Sequence, residues 1–223
     1  MIPVAPLDQV ARNAIRKTWG GEKTVLGKRV SHFFLLGQAK DQGKALQDQL
    51  LRESQEHRDL LQGNFLDSYR NLTIKTILML EWLASRCPNA SYGIKTDSDV
   101  LLNVHSLIEG VIPSTPTHLY MTGNVLRQAP VHRDPNSKWF TPKEVFAESQ
   151  YPPYVLGLSY VFSMDLPSKL IEASRHESEV VLVPWCNMKL MEHTLHITRD
   201  GYLPLTETTQ DPYEGIGKVW PSE

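Results

Sequence analysis

The stretch SYGIKTDSDVLLN, residues 91–103, decides how this chain is interpreted. Residues 92–95 are predicted to form a short buried strand that runs directly into Asp97, Ser98 and Asp99. In an open α/β sheet, strands that end in this way deliver side chains to the crevice where ligands bind. Two carboxylates one residue apart offer hard oxygen ligands, which suit Mg²⁺ or Mn²⁺ better than Zn²⁺. The same residue types also favour a turn or a helix cap, so the pair alone leaves both interpretations open.

The composition is that of a soluble globular protein. The chain has 223 residues, of which 41% are hydrophobic and 22% charged, a balance that fits one domain with a substantial core. The net charge of −2 and the lack of a basic block exclude nucleic acid and anionic membrane surfaces as expected partners. Cys87 and Cys186 permit at most one internal disulfide, and the sequons at Asn71 and Asn89 matter only in the secretory pathway. Composition therefore leaves the compartment open.

Hydrophobic periodicity predicts helices that alternate with short strands. Residues 71–86 repeat apolar side chains at helical spacing, and Pro88 ends the pattern. This helix and the strand at 92–95 follow the βαβ pattern of a parallel sheet. Residues 129–143 are rich in Pro, Asp, Asn and Ser and predict a long surface loop, which at such a length is usually functional or disordered. Further helices are predicted at 10–19, 41–54, 103–111 and 166–174, and further strands at 30–37, 58–62, 118–125 and 160–163.

Several sequence blocks occur in an order that carries more information than any one of them. These are RNAIRKTW at 12–19, DSYRNLTIKT at 67–76 and KTDSDV at 95–100, followed by Lys138-Trp139, YPPY at 151–154 and GLSYVFS at 157–163. In this order the blocks resemble the β-1,3-galactosyltransferase family, glycosyltransferase family 31. The resemblance covers roughly residues 3–175, and KTDSDV resembles the metal motif of that family.

The resemblance implies a GT-A fold, that is, an α/β Rossmann-like glycosyltransferase fold with a mixed, mostly parallel central sheet and helices on both faces. It implies a catalytic region at 1–177, with a nucleotide-sugar half at about 1–110 and an acceptor half at about 111–177. Residues 178–223 form a divergent C-terminal segment of uncertain order. Family members are Golgi type II membrane proteins, so the luminal face of the Golgi and a membrane-anchored full-length form are implied, although no anchor or signal peptide is visible in this sequence.

The implied reaction moves galactose from UDP-galactose to the 3-hydroxyl of a GlcNAc- or GalNAc-ended glycan, on a glycoprotein or glycolipid, with inversion. A β-1,3-N-acetylglucosaminyltransferase is an alternative within the same class. A catalytically dead paralogue or fragment that binds UDP-sugar without turnover is an alternative from another class.

The resemblance also assigns candidate site residues. In the family context, Mn²⁺ (or Mg²⁺) bound to Asp97 and Asp99 is favoured over a simple turn. The donor-binding candidates are Asp67, Tyr69, Lys95, Asp97 and Arg16. Asp67 could instead cap a helix, and Lys95 could be merely solvated at the end of its strand. For Arg16, and for Arg12 on the same helix, a solvated helix face is favoured over contact with the donor. The acceptor candidates are Trp139, Tyr151 and Tyr154, which would suit stacking on a sugar or could be packing anchors.

The sequence departs from the family where the catalytic base is expected. An inverting transfer needs a general base to take the proton of the acceptor hydroxyl. The family keeps it in a Glu-Asp-Val-x-x-Gly block, expected here near residues 183–185, and that block is absent. Glu179 is the carboxylate that faintly echoes it and is the candidate base. His193 and His196 favour a surface pair over a metal site, since no third ligand accompanies them.

Overall fold

The computed structural model describes residues 1–40, 43–112 and 116–175. The strands are β1 (Ile2–Pro3), β2 (Thr24–Val25), β3 (Lys28–Arg29), β4 (Phe34–Gln38), β5 (Leu60–Leu66), β6 (Tyr92–Thr96), β7 (Met121–Leu126) and β8 (Tyr154–Ser163). The helices are α1 (Gln9–Lys17), α2 (Lys44–His57), α3 (Leu72–Arg86), α4 (Val104–Ser106) and α5 (Leu166–Ser174). A 3₁₀ turn at Tyr69–Asn71 precedes α3, and a π-helical segment at Leu107–Val111 continues α4.

The central sheet is mixed. Strands β1, β4 and β5 pair in parallel in the order β1-β4-β5, whereas β8 pairs antiparallel with β6 and β7 in the order β6-β8-β7. Met1 joins these two groups of strands, because its nitrogen donates to the Ile94 carbonyl at 2.7 Å and its carbonyl accepts from the Thr96 nitrogen at 3.1 Å. This is the hydrogen-bond pattern of a parallel pair, so β6 lies beside β1. The predicted α/β fold with a mixed, mostly parallel sheet is confirmed.

Helices cover both faces of the sheet, as predicted. Successive side chains of a strand point to opposite faces. Leu36 of β4 therefore packs in one apolar cluster with Leu50 of α2, and its neighbour Leu35 packs in another with Leu83 of α3 and Leu170 of α5. The central sheet is thus buried between α1 and α2 on one side and α3 and α5 on the other.

The predicted helix at 71–86 and the predicted strand at 92–95 agree closely with α3 and β6. The strand predicted at 58–62 is longer than expected, because β5 continues through Gly63 and Asn64, where the sequence suggested a turn. A Cβ at Gly63 would lie 2.7 Å from the Phe65 ring. The glycine therefore makes room for a neighbouring aromatic ring.

The prediction of a solvated face on α1 is wrong. Arg12 is completely buried, and its Nε and Nη2 donate to the two carboxylate oxygens of Glu53, each at 2.7 Å. Arg16 donates to both carboxylate oxygens of Asp59 at 2.8 and 2.7 Å, and its guanidinium lies 4.9 Å from the centre of the Phe34 ring. Both arginines fasten α1 to the elements beside it, which sequence spacing does not reveal.

Three features bear on the secretory pathway: the sequon at Asn71, the two cysteines and any membrane-spanning helix. The Asn71 side chain makes no cap hydrogen bond, and its amide instead donates to the Leu66 carbonyl at 2.8 Å. Cys87 is buried, which raises the pKa of its thiol to about 11. Cys186 lies outside the described residues, as do 178–223 as a whole. Within the described ranges, no helix has the length and apolar character needed to cross a membrane.

Candidate active site

A cavity of about 500 Å³ opens where β6 ends and β8 begins. It is lined by residues from both predicted halves of the chain. The lining residues that the sequence also predicted are Tyr69, Lys95, Asp97, Trp139, Tyr151 and Tyr154. Donor and acceptor candidates that are far apart in the sequence therefore share one cavity.

Lys95 fixes the position of Asp97. The side chain of Lys95 is buried, and its ammonium donates to the Asp97 carboxylate and to the Gly157 carbonyl of β8. The Asp97 nitrogen also donates to the Leu158 carbonyl at 2.9 Å. The side chain of Asp97 remains 39% exposed. Its carboxylate is thus anchored by Lys95 while its side chain stays partly exposed to the solvent.

Asp99 lies on the exposed side of the turn that follows β6. It is not among the cavity-lining residues. Within the described ranges, no group of three or more His, Cys, Asp or Glu side chains could hold a metal ion. Two carboxylates leave most of a six-coordinate shell to water and to substrate phosphate, an arrangement that Mg²⁺-type ions commonly adopt.

Asp67 and Lys75 form an ion pair next to this cavity, with the side chain of Lys75 3% exposed and that of Asp67 12%. The Asp67 carboxylate accepts from the Gly37 nitrogen and from the Lys75 ammonium, both at 2.7 Å. Lys75 also donates to the Val4 carbonyl at 2.9 Å. Asp67 does not cap α3, but ties the ends of β1 and β4 to that helix. Burial lowers the pKa of Lys75, although the hydrogen bond to Asp67 opposes the shift.

Lys75 lines the cavity but was not predicted as a site residue. The sequence does contain a pattern that distinguishes this lysine. Lys75 lies three residues after Leu72 and four before Met79, on the apolar stripe of α3. A lysine on a stripe that packs against the core needs a buried partner.

An aromatic wall closes the other side of the cavity. Tyr151 is buried, its hydroxyl makes a 2.7 Å hydrogen bond with Thr141 Oγ1, and its ring meets that of Tyr154 edge to face at 5.9 Å. Burial raises the pKa of Tyr154, and Tyr151 adds to this effect. Trp139 is 43% exposed and is the ring of this wall most open to a ligand. Tyr151 therefore packs, whereas Trp139 has the exposure that stacking on a sugar requires.

Two polar side chains that were not predicted as site residues accompany Trp139. The Lys138 ammonium lies 4.3 Å from the centre of the Trp139 ring, and the His132 ring lies 5.6 Å from it. Both residues line the cavity. His132 lies seven residues before Trp139 in a loop, and no periodic pattern connects them.

Three predicted site residues of the described ranges do not line the cavity: Arg16, Asp67 and Asp99. Arg16 is held by Asp59 and Glu53, and neither it nor Asp67 is among the lining residues. Glu179 lies outside the described residues, so its role as the base stays a prediction.

The chain is similar in sequence to known galactosyltransferases. The family model described as Galactosyltransferase matches residues 10–183. The chain is 40% identical over 189 residues to Beta-1,3-galactosyltransferase 1 of Mus musculus, covering 82% of this chain and 57% of that protein. It is 38% identical over 196 residues to Beta-1,3-galactosyltransferase 2 of Homo sapiens, covering 85% of this chain and 46% of that protein. The chain therefore spans about half the length of these relatives.

Proposed function

Because this chain belongs to the galactosyltransferase family, whose model matches residues 10–183, we propose that it transfers galactose from UDP-galactose to a glycan. The acceptor is the 3-hydroxyl of a GlcNAc- or GalNAc-ended glycan on a glycoprotein or glycolipid, and the transfer inverts the anomeric centre. The observation that carries the proposal is the single cavity that joins Asp97 at the end of β6 to the exposed ring of Trp139.

In this proposal Asp97 and Asp99 hold Mn²⁺ or Mg²⁺. Such an ion stabilises the negative charge that develops on a diphosphate leaving group. Lys95 contributes by anchoring the Asp97 carboxylate at the partly exposed position from which it would bind the ion. The donor diphosphate supplies further oxygen ligands, because carboxylates and substrate phosphates together are the usual shell for these ions.

The remaining lining residues divide between the two substrates. Tyr69 and Lys75 lie on the α3 side of the cavity, where they would meet the nucleotide-sugar. Trp139 lies on the aromatic wall, where its ring would stack on the acceptor sugar. Aromatic rings suit this task because they present a large apolar face with few rotamers to fix.

The metal site is tested by calorimetric titration of UDP with and without Mn²⁺. We expect Mn²⁺ to tighten UDP binding, and Asp99→Asn to remove most of that effect, on the order of tenfold or more in affinity. Asp48→Asn, on α2 and away from the cavity, is the matched control and should bind as the wild type does. UDP binding that ignores Mn²⁺ in the wild type would count against the metal site.

Turnover is tested with UDP-galactose and UDP-N-acetylglucosamine as donors and GlcNAc- and GalNAc-ended disaccharides as acceptors. Galactose transfer to either acceptor supports the proposal, and preference for UDP-N-acetylglucosamine would favour the N-acetylglucosaminyltransferase alternative. The second candidate is a protein that binds UDP-sugar without turnover, and the absence of the Glu-Asp-Val-x-x-Gly block favours it. Binding of UDP without transfer from either donor would establish that candidate. Transfer that survives Glu179→Gln would remove Glu179 as the base.

The family also implies a place in the cell. We propose that the full-length protein is anchored in the Golgi membrane with this region on the luminal face, where glycoprotein and glycolipid acceptors pass. Fractionation of cells with an epitope on the full-length protein tests this, and a cytosolic signal would contradict it.

A further inference from the structure

The loop between β7 and β8 is ordered by its own hydrogen bonds. We call residues 129–151 the aromatic loop, because it carries Trp139 and Tyr151. Its two ends are held together by hydrogen bonds from the Val131 nitrogen to the Ser149 carbonyl at 3.0 Å and from the Tyr151 nitrogen to the Ala129 carbonyl at 2.8 Å. The sequence left a functional loop and a disordered loop open for 129–143, and the structure shows an organised one.

Arg133 lies in the aromatic loop and binds three of its carbonyl groups. Its Nη1 donates to the Thr141 carbonyl at 2.6 Å, and its Nη2 donates to the carbonyls of Phe146 and Glu148 at 2.7 and 2.6 Å. These are short, charge-assisted hydrogen bonds. No carboxylate of the described ranges forms a salt bridge with Arg133, so its guanidinium serves the loop backbone.

Two of these carbonyls belong to residues that touch Tyr151. The Thr141 hydroxyl makes the hydrogen bond to the Tyr151 hydroxyl, and the Phe146 ring stacks on the Tyr151 ring at 5.5 Å. The Thr141 nitrogen donates to the His132 carbonyl at 2.9 Å, which closes the segment that contains Trp139. Arg133 thus holds both ends of the segment that presents Trp139 to the cavity.

We propose that Arg133 is a positioning residue for the acceptor sugar, which rests on the proposed function above. Its three hydrogen-bond partners all lie in the aromatic loop, away from the donor candidates Lys95 and Asp97 in the sequence. Its loss should therefore weaken acceptor binding while donor binding is kept. Arginine suits this role because its planar fork can bind several carbonyls at once, whereas a lysine ammonium is a single point charge.

The test compares Arg133→Gln and Arg133→Lys with the control Arg52→Gln, at an exposed position of α2. Acceptor affinity is measured by ligand-observed NMR with a GlcNAc-ended disaccharide in the presence of UDP and Mn²⁺, and UDP affinity by calorimetry. Limited proteolysis reports cleavage within the aromatic loop. We expect Arg133→Gln to lose about tenfold in acceptor affinity and to be cleaved faster in the loop. Arg133→Lys should retain part of both properties, and Arg52→Gln should match the wild type.

The outcomes separate this inference from the proposed function. If the wild type binds the disaccharide and Arg133→Gln binds it equally well, the inference alone is overturned. If Arg133→Gln loses UDP and acceptor binding to the same extent, Arg133 is a general structural residue and the inference fails. If Arg133→Gln is cleaved no faster in the loop than the wild type, Arg133 does not order the loop and the inference also fails. If the wild type binds UDP but neither a GlcNAc- nor a GalNAc-ended acceptor, the proposed acceptor and the inference fall together.

Discussion

Arg12 shows how a single residue can hold a helix to the rest of a protein. A buried guanidinium is costly to desolvate unless every charge and hydrogen bond is satisfied. Here Glu53 supplies two carboxylate oxygens, and the carbonyls of Ala5 and Pro6 accept from Nη1 at 3.1 and 3.2 Å. The side chain of Glu53 is only 1% exposed, so neither charge can be paired by water if the other is removed.

The pairing of Arg12 with Glu53 predicts the effect of removing the counter-charge. Glu53→Gln should lower the free energy of unfolding by about 3 kcal/mol or more, because it leaves Arg12 buried without a counter-charge. Glu81→Gln makes the same chemical change at an exposed position of α3 and should cost less than about 0.5 kcal/mol. Urea denaturation at neutral pH measures both. Equal midpoints for the two variants would show that the buried pair contributes nothing.

At the scale of elements, the contact between β6 and β8 places the candidate site. Gly93 of β6 lies opposite Phe162 of β8, and two residues further along, Lys95 lies opposite Tyr160. A Cβ at Gly93 would lie 2.6 Å from the Phe162 ring, which is completely buried. The glycine therefore allows the two strands to pack closely just before β6 delivers Asp97 to the cavity.

This close packing predicts the effect of a small substitution. Gly93→Ala should destabilise the protein by about 1–3 kcal/mol, since the Phe162 ring has no free space into which it can move. Gly110→Ala is the matched control, because a Cβ there meets nothing within 4 Å, and it should be neutral or slightly stabilising. Thermal unfolding followed by circular dichroism tests both variants. A Gly93→Ala protein as stable as the control would mean that the core at this point is loosely packed.

The elements also show what could and could not be predicted from the sequence. The helix α3 and the strand β6 were predictable because their apolar patterns are local and Pro88 ends the helix. The burial of Arg12 was not predictable, because its partner Glu53 is 41 residues away in the sequence and only the packing of α1 on α2 brings them together. The cavity was predictable at Asp97 and Trp139 through family motifs. Lys75 could have been recognised from its place on the apolar stripe of α3, whereas His132 depends on three-dimensional neighbours, and the base candidate Glu179 stays untested.

At the scale of the whole molecule, charged groups hold together elements that the apolar clusters also join. Asp59 precedes β5 and accepts hydrogen bonds from Arg16 of α1 and, at 3.2 Å, from the ring of His32, which precedes β4. Glu53 of α2 pairs with Arg12 and Arg16. These five side chains connect two helices to two strands on one face of the sheet. Their charge state should therefore affect the stability of the entire fold.

The pH dependence of folding tests this idea. Burial alone would raise the pKa of Asp59, but the hydrogen bonds from Arg16 and His32 outweigh it and hold that pKa well below its ordinary value of 3.8. A carboxylate whose pKa is lower in the folded state contributes stability that is present above its unfolded pKa and is lost as pH falls through its folded pKa. We therefore expect the free energy of unfolding to fall as the pH is lowered from 5 towards 2.

Asp59→Asn should be less stable at neutral pH and should lose less on acidification, with a difference on the order of 2 kcal/mol. Asp134→Asn, at an exposed loop position, should keep the wild-type profile, and an Asp59→Asn protein that also keeps it would show that Asp59 is not responsible for the acid sensitivity.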